Sequence, residues 1–331
     1  MRVLVIGGTN FIGPALVHKL IELGHELTVF HRGQTTADMP PGTKQIFGDR
    51  DRLGEFASEL RAFAPRVVVH MIAYVEEHAR SLIDVFRGIA RRLVVVSSGD
   101  VYKAYGLFHG TESGPIEPLP LAEDAPLRSV LFPYRSQAQG PEDLKYRYDK
   151  IPVERAVMGD SDMRGTILRL PMVYGPGDKG HRLFPYLKRM DDSRPAIVLE
   201  EGMAEWRCPR GYVENVAAAI ALCVTDERAA GRIYNVSEAP AFSEAEWVRK
   251  IGEAVGWRGE VVIVPRRRTP EHYRPEQHIE TDSTRIRSEL GYRESVPFTE
   301  ALKRTILWER ANPPDRPQVD YAEEDAILQN V

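Results

Sequence analysis

Val3-Leu4-Val5-Ile6-Gly7-Gly8-Thr9-Asn10-Phe11-Ile12-Gly13 runs an apolar strand straight into a glycine-rich turn, and an amphipathic segment, Pro14 to Leu23, follows. Strand, turn and helix in that order present backbone N–H groups to a pyrophosphate. Gly7 permits the tight turn, Gly8 lets backbone approach phosphate, and Gly13 lets the helix pack near the strand. Pro14 stands near the helix start, where its missing N–H costs little. The glycines carry weight because they stand directly after the first strand.

Outward from that turn, strands and helices alternate. Strands are expected at Val3–Ile6, Glu26–Phe30, Gln45–Phe47, Val67–Met71 and Leu93–Ser97, with helical stretches at Pro14–Leu23, Arg52–Phe63 and Glu76–Gly88. The runs at Val67 and Leu93 are continuously apolar, as in a parallel sheet covered on both faces. The pattern predicts a doubly wound α/β fold, a Rossmann-type parallel sheet with a smaller C-terminal α/β substrate domain.

Regularity breaks between Lys103 and Leu144, where Pro115, Pro118, Pro120, Pro126 and Pro133 argue against regular structure. A helical pattern resumes over Asp143–Met158, followed by a strand Thr166–Leu170 and the turn Gly175-Pro176-Gly177. Helices are expected near Leu183–Met190, at Val213–Val224, at Glu244–Val255 behind a capping Ser243, at Ser283–Leu290 and at Thr299–Ala311. Strands are expected at Arg232–Val236 and Glu260–Val264. The division expected, in line with the family resemblance set out below, is a dinucleotide-binding domain over 1–175, to which 211–237 returns. A substrate domain follows from 176–210 and 238–312, then an acidic tail over 313–331 with Glu323-Glu324-Asp325 in solvent.

Composition bounds the function. The chain has 331 residues and a net charge of −4, with no basic field of the kind nucleic acid attracts. Arg266-Arg267-Arg268 reads as a solvated loop face. Cys208 and Cys223 read as reduced thiols. The longest apolar run, Val67 to Val75, contains His70 and falls short of the roughly 20 residues a membrane helix needs. The first apolar stretch ends in the glycine turn, unlike a signal peptide. A cytoplasmic protein with no membrane partner is the expectation. Glu76-Glu77-His78 has no metal-ligand spacing and reads as an exposed helix start; no metal is expected.

Tyr146 and Lys150 stand four apart in a helical stretch, which would put both on one face. A phenol alone is too weakly acidic for a general base at neutral pH, and a nearby ammonium favours its phenolate. Such a pair can exchange a proton with a substrate hydroxyl. Ser98 ends the fifth strand, where ligands of such sheets bind. It would hold a substrate oxygen while Tyr146 exchanges the proton and Lys150 tunes the phenol. Tyr148 and Tyr102 lack a lysine four residues on.

With these residues in place, the chain resembles the extended branch of the short-chain dehydrogenase/reductase superfamily, the NAD(P)-dependent epimerases and dehydratases. The resemblance runs through Gly7–Gly13, Gly48-Asp49, Ser97-Ser98 with Val101-Tyr102, and Tyr146-x-x-x-Lys150. It continues through Leu168-Arg169-Leu170-Pro171-Met172-Val173-Tyr174-Gly175-Pro176, Arg210 before Tyr212-Val213, Tyr234-Asn235-Val236, Asp282–Arg285 and Leu290–Tyr292. His31-Arg32-Gly33 after the second strand looks like a divergent subgroup near the chloroplast stem-loop-binding proteins. The resemblance implies a nicotinamide dinucleotide held by Gly7, Thr9, Asn10, Phe11, Ile12 and Gly13, with Asp49 at the adenine and Lys150 at the nicotinamide ribose. It also implies a homodimer, and Arg210 against a substrate diphosphate.

Departures from the family pattern refine the expectation. Asn10 replaces a middle glycine, and asparagine tolerates the left-handed region better than most residues. Met172 stands where many sugar-nucleotide members have an asparagine. Gly99-Asp100 replaces the acidic pair of the 4,6-dehydratases, leaving Asp100 at the substrate side. Arg207 and Arg210 are candidates to clamp an anionic group. The second strand ends in Phe30-His31-Arg32-Gly33 with no acid, so Arg32 favours NADP over NAD. The leading expectation is an epimerase or dehydratase acting on a sugar or nucleotide sugar through carbinol oxidation. The alternatives are an NADPH-dependent reductase of a small carbonyl substrate and, in another class, a non-catalytic dinucleotide-binding sensor or RNA-associated protein.

Overall fold

A computed structural model of the chain describes residues 1–331 apart from 36, 38, 267, 268 and 331. Arg267 and Arg268 of the arginine cluster therefore lie outside the described residues. Seven parallel strands make the central sheet: β1 (Arg2–Ile6), β2 (Glu26–His31), β3 (Lys44–Phe47), β4 (Val67–His70), β5 (Arg92–Ser98), β6 (Arg164–Leu170) and, numbered after three short strands described below, β10 (Arg232–Asn235). Their spatial order is β3-β2-β1-β4-β5-β6-β10. The order runs outward from β1 to β3, then restarts on the other side of β1 with β4. The carboxyl ends of β1 and β4 therefore flank the topological switch point, where open α/β sheets bind ligands.

Side-chain alternation along β1 builds two cores. Val3 and Val5 face α1 (Ile12–Glu22) and α8 (Val213–Thr225) through Leu16, Val17, Leu20, Val216 and Ile220. Leu4 and Ile6 face the opposite layer, where Leu82 and Phe86 of α3 (Glu76–Phe86) meet Val153 and Val157 of α6 (Lys150–Gly159). Helix α2 (Ala57–Ala62), entered through a 3-10 segment at Arg50–Phe56, closes that layer with Leu53 and Leu60. Burial on both faces explains why β4 and β5 read as unbroken apolar runs.

Two small parallel pairs sit beyond the sheet: β7 (Met172–Tyr174) with β9 (Arg210–Tyr212), and β8 (Ala196–Glu200) with β11 (Glu260–Val264). The sequence reading found β11 alone of these four: β7 and β9 have three residues each, too few to carry a period, and the five-residue β8 was missed. Around them lie α7 (Phe184–Asp191), α9 (Glu244–Val255), α10 (Thr284–Leu290) and α11 (Phe298–Ala311). Ser243 and Glu246 cap α9 reciprocally.

Three expectations are corrected. The proline-rich segment begins with a helix, α4 (Lys103–Phe108), before its first proline. The acidic tail folds back as α12 (Ala322–Leu328). Glu324 is 5% exposed and takes hydrogen bonds from Arg189, Asp325 pairs with Arg194, and the Tyr321 hydroxyl donates to Asp192. Opposite charge on α7 and the segment after it converts that run from a solvated end into a docked one. His78, expected at an exposed helix start, is buried, with its Nε2 2.6 Å from Asp51.

Candidate functional site

At the switch point the glycine turn has the geometry its sequence implies, with one displacement. Gly7 has φ +88° and donates its N–H to Phe30 O at 3.0 Å. A Cβ on Gly13 would lie 2.5 Å from the carbonyl carbon of Gly8, so only glycine fits there. Gly8 faces inward, where a Cβ would stand 3.0 Å from Val29. The unusual dihedral falls on Phe11 (φ +48°) and not on Asn10. Phe11 is the residue before α1, and its Cα would lie 3.5 Å from a Cβ on Gly177, so the glycine turn abuts the Gly175–Gly177 turn. A non-glycine residue held at positive φ marks a backbone fixed by its surroundings.

A cavity opens beside this turn, lined by Gly7, Thr9, Asn10, Phe30, His31, Arg32, Gly33, Gly48 and Arg50 among others. Phe11, Ile12 and Gly13 form the turn and the first residues of α1 behind it. His31 shapes the β2 end: its Nδ1 accepts from Gly33 N at 3.2 Å, and its Nε2 meets Gln45 at 2.9 Å. Arg50 lies 4.7 Å from the centre of the Tyr74 ring. Asp49, expected at the adenine, accepts from Asp51 N with its Oδ1 and caps the 3-10 segment, and its neighbours Gly48 and Arg50 reach the cavity wall. No carboxylate lines this cavity among the described residues. A glycine cradle at a helix N-terminus with two guanidinium groups nearby fits a dinucleotide and its phosphates.

Further along the same rim, β5 delivers Ser98, whose Oγ accepts from Asp100 N at 3.2 Å. Lys150 is 2% exposed, and its Nζ donates to Ala73 O at 2.7 Å and Val96 O at 2.9 Å, bridging the ends of β4 and β5. Burial lowers the ammonium to about 8, against the pull of Asp100 and Glu154.

The shared helical face expected for Tyr146 and Lys150 does not form. Helix α5 (Leu144–Arg147) stops at Tyr148, Tyr148 and Asp149 are extended, and α6 begins afresh at Lys150 with Asp149 as its cap. Tyr146 is 36% exposed, and its ring lies 4.7 Å from the Arg135 guanidinium. The cause is legible in hindsight. Pro152 has no N–H to give to residue 148 and would clash with its carbonyl, so it is tolerated only in a helix's first turn. Asp149 two residues before an apolar run marks that start.

The break turns Tyr148 inward. Its hydroxyl donates to Asp100 Oδ2 at 2.9 Å, and Tyr134 from the proline-rich segment donates to the same oxygen at 3.1 Å. The Tyr105 and Tyr134 hydroxyls are 2.9 Å apart. Asp100 is buried, and its Oδ1 has no hydrogen-bond partner. Burial raises this carboxyl above its usual range although Arg128 and Tyr148 pull it down. Burial and the adjacent carboxylate push the Tyr148 phenol well above the ordinary tyrosine range. Arg128 and Asp149 hold the arrangement: Arg128 donates to Asp100 O, Val130 O and Asp149 Oδ1, and Phe132 N donates to Asp149 Oδ2. Sequence reasoning weighed Tyr148 only for a lysine four residues on, and had no signal for Tyr134 or Arg128.

Beside β7 and α9, a cavity of about 440 Å³ is lined by Met172, Tyr174, Tyr186, Trp206 and Trp247 together with Arg182, Arg189, Arg210, Glu244 and Glu324. Arg210 pairs with Glu244 at 2.5 Å and lies 4.5 Å from the Trp247 ring centre. Arg207 is turned away, to Glu246 and Ala241 O. The three arginines that line the cavity each have a carboxylate partner: Asp178 for Arg182, Glu324 for Arg189 and Glu244 for Arg210.

Comparison with known proteins agrees with this architecture. The 2'-dehydrokanamycin reductase of Streptomyces kanamyceticus is 25% identical over 272 residues, spanning 80% of this chain and 70% of that protein. The chloroplast stem-loop binding protein of 41 kDa b of Arabidopsis thaliana is 20% identical, spanning 99% of this chain and 84% of that protein. Among solved structures, UDP-glucose 4-epimerase from Thermotoga maritima with UDP-glucose superposes with a TM-score of 0.70 at 18% identity, covering 94% of this chain and 99% of that one. This last likeness bears on the fold alone. The family model of the NAD dependent epimerases and dehydratases matches residues 3–119 and 136–237. With the nucleotide cradle at the switch point and the matched segments spanning most of the chain, this protein belongs to the NAD dependent epimerase/dehydratase family.

Proposed function

We propose that the protein oxidises a carbinol of a sugar or nucleotide sugar, using NADP in preference to NAD, as the first step of an epimerisation or dehydration. The observation that carries this reading is the Lys150 ammonium, pinned between Ala73 O and Val96 O beside Ser98 on the same rim as the glycine turn. A bound nicotinamide dinucleotide supplies the hydride acceptor. Lys150 orients a ribose hydroxyl, Ser98 steadies the substrate oxygen, and a tyrosine of the 146–148 segment exchanges the proton. Arg32 and Arg50, in a cavity wall without carboxylates, support a 2'-phosphate and hence NADP. On the substrate side, Asp100 closes the rim and Met172 supplies apolar surface. Arg210 is a candidate for an anionic substrate group, with Arg207 outside the cavity wall. A second reading, reduction of a sugar ketone, draws on the name of the Streptomyces kanamyceticus relative.

The test is a pair of fluorescence titrations with NADPH and NADH, followed by mass spectrometry of products from UDP-glucose and dTDP-glucose. NADPH is expected to bind about tenfold or more tighter, a preference that Arg32→Ala abolishes. Tighter binding of NADH sinks the cofactor assignment. Failure to bind either dinucleotide sinks the function.

A further inference from the structure

We propose that the proton carrier of this site is Tyr148, relaying to Asp100, and that Tyr146 lies outside the chemistry. The proposal rests on the hydride-transfer reading above and names the residues that move its proton.

Three observations place Tyr148 on the rim. Asp149 N donates to Tyr74 O at 3.0 Å, tying the backbone beside Tyr148 to the segment after β4. The Tyr74 ring lies 4.7 Å from Lys150 Nζ and 5.8 Å from the Tyr148 ring. The Tyr148 hydroxyl meets Asp100, two residues beyond Ser98. Tyr148 is therefore tied to Asp100, whose N–H donates to Ser98, and to Tyr74, whose ring faces Lys150. Tyr146 is stacked on Arg135 at the outer side of the insertion, and its hydroxyl makes no hydrogen bond among the described residues.

The electrostatics of the pair differ in kind from a lysine-activated phenolate. The groups facing Asp100 are Tyr134, Tyr148, Arg128 and Lys150; those facing Tyr148 are Asp100, Tyr134 and Tyr74. Arg128 spends its Nε on the Asp100 backbone carbonyl, not on the carboxylate. A phenol donating to a carboxylate does not ionise ahead of it, because the second negative charge would sit beside the first. The phenol acts as a neutral relay. As the substrate O–H bond breaks, its proton passes to the Tyr148 oxygen, and the phenol's own proton passes to Asp100 Oδ2. A bound nicotinamide dinucleotide would accept the hydride, with its electron pair, from the carbinol C–H bond as the carbonyl C=O forms. Asp100 ends protonated. In the reducing direction the same proton returns through Tyr148. Tyr148 and Asp100 carry the proton in this scheme, and Tyr134 is a positioning residue.

The experiment compares Tyr148→Phe, Tyr146→Phe, Asp100→Asn and Tyr134→Phe in the full chain. NADPH titration should change less than about threefold in the two variants at 146 and 148. Carbon-13 NMR with tyrosine labelled at Cζ follows the phenols across the alkaline range in which the protein stays folded; the Tyr148 resonance is the one that Tyr148→Phe removes. Asp100→Asn is expected to move ionisation of that resonance to lower pH. Tyr134→Phe, which takes one donor from the carboxylate, serves if the asparagine variant does not fold; it should make Asp100 a stronger base and move the rate profile to higher pH. Carbinol oxidation, followed with UDP-glucose and NADP, should fall about 100-fold or more in Tyr148→Phe and stay within threefold in Tyr146→Phe. A Tyr148 resonance indifferent to Asp100→Asn overturns the relay, as does loss of turnover in Tyr146→Phe alone. If wild type shows no turnover, the substrate assignment fails and the resonance shift still decides the pair.

Discussion

The cradle at β1 and the rim at β5 sit at the carboxyl ends of the same sheet, yet they are specified in opposite ways. The cradle is local. Seven residues from Gly7 to Gly13 contain the positive φ of Gly7, the close approach at Gly13 and the entry into α1. Its demands are on backbone, and backbone demands show up as glycine. The rim is assembled from β5, the proline-rich segment and the start of α6. Asp100, Tyr134 and Tyr148 converge from across 48 residues. No spacing rule connects them, because an irregular segment brings them together and a broken helix aims them.

If that contrast is right, the rim should be the more fragile of the two, and the largest effect belongs to Asp149. The Arg128 and Asp149 side chains are 0% and 1% exposed and 3.2 Å apart. Asp149 also accepts from Ile151 N at 2.9 Å and Phe132 N at 2.6 Å, so it caps α6 and pins the insertion at once. Asp149→Ala leaves a buried guanidinium without its counter-charge, which costs about 3–5 kcal/mol. Urea denaturation of the purified variant measures this. A loss under about 1 kcal/mol breaks the contrast, since the insertion would then be ornament on a rim that stands by itself.

What the sequence made legible follows the same division. The inner strands declared themselves through unbroken apolar runs, and Ser243 announced α9. The glycine turn was readable because its glycines have steric reasons independent of anything distant. Tyr146 misled for a related reason. A four-residue interval implies a shared face only if the helix is continuous, and Pro152 forbids that continuity. Charge misled at the other end of the chain. Glu324 and Asp325 resemble a solvated tail until Arg189 and Arg194, more than 130 residues earlier, supply their partners. Such pairings are tertiary facts that composition alone cannot show.

The cradle should fail in function before it fails in folding. Gly13→Ala places a methyl group 2.5 Å from the Gly8 carbonyl carbon and 2.7 Å from its oxygen, both backbone atoms that move only with the turn. Displacing α1 from β1 removes the aligned N–H groups from a pyrophosphate. NADPH affinity is expected to drop about 100-fold, close to 3 kcal/mol, while thermal unfolding moves by only a few degrees. Retained affinity in Gly13→Ala means the turn adapts, and the claim that its backbone geometry alone specifies the cradle falls.

The smallest effect is the most diagnostic, because its sign is set by burial. Burial holds the Lys150 ammonium at about 8 in the folded chain, below its ordinary value of 10.5. Its folded pKa is depressed, so the folded state binds this proton less readily than the unfolded chain does. The resulting penalty is fully present below pH 8, shrinks between pH 8 and 10.5, and is gone above. Wild type should therefore gain stability relative to Lys150→Met as pH rises from 8 to 10, by about 2 kcal/mol from the linkage relation. Urea unfolding of both proteins at the two pH values measures the difference, and taking that difference removes most of the titration common to both. Asp100 and Glu154, which raise the ammonium, and Arg50, which lowers it, are the charged neighbours that can distort it. A flat difference means water reaches the ammonium, and the rim would then be as open to solvent as the cradle. A difference of opposite sign would place Lys150 in a stabilising ion pair with Asp100 or Glu154, and an Asp100 carboxylate so paired would be a weaker base toward the Tyr148 proton.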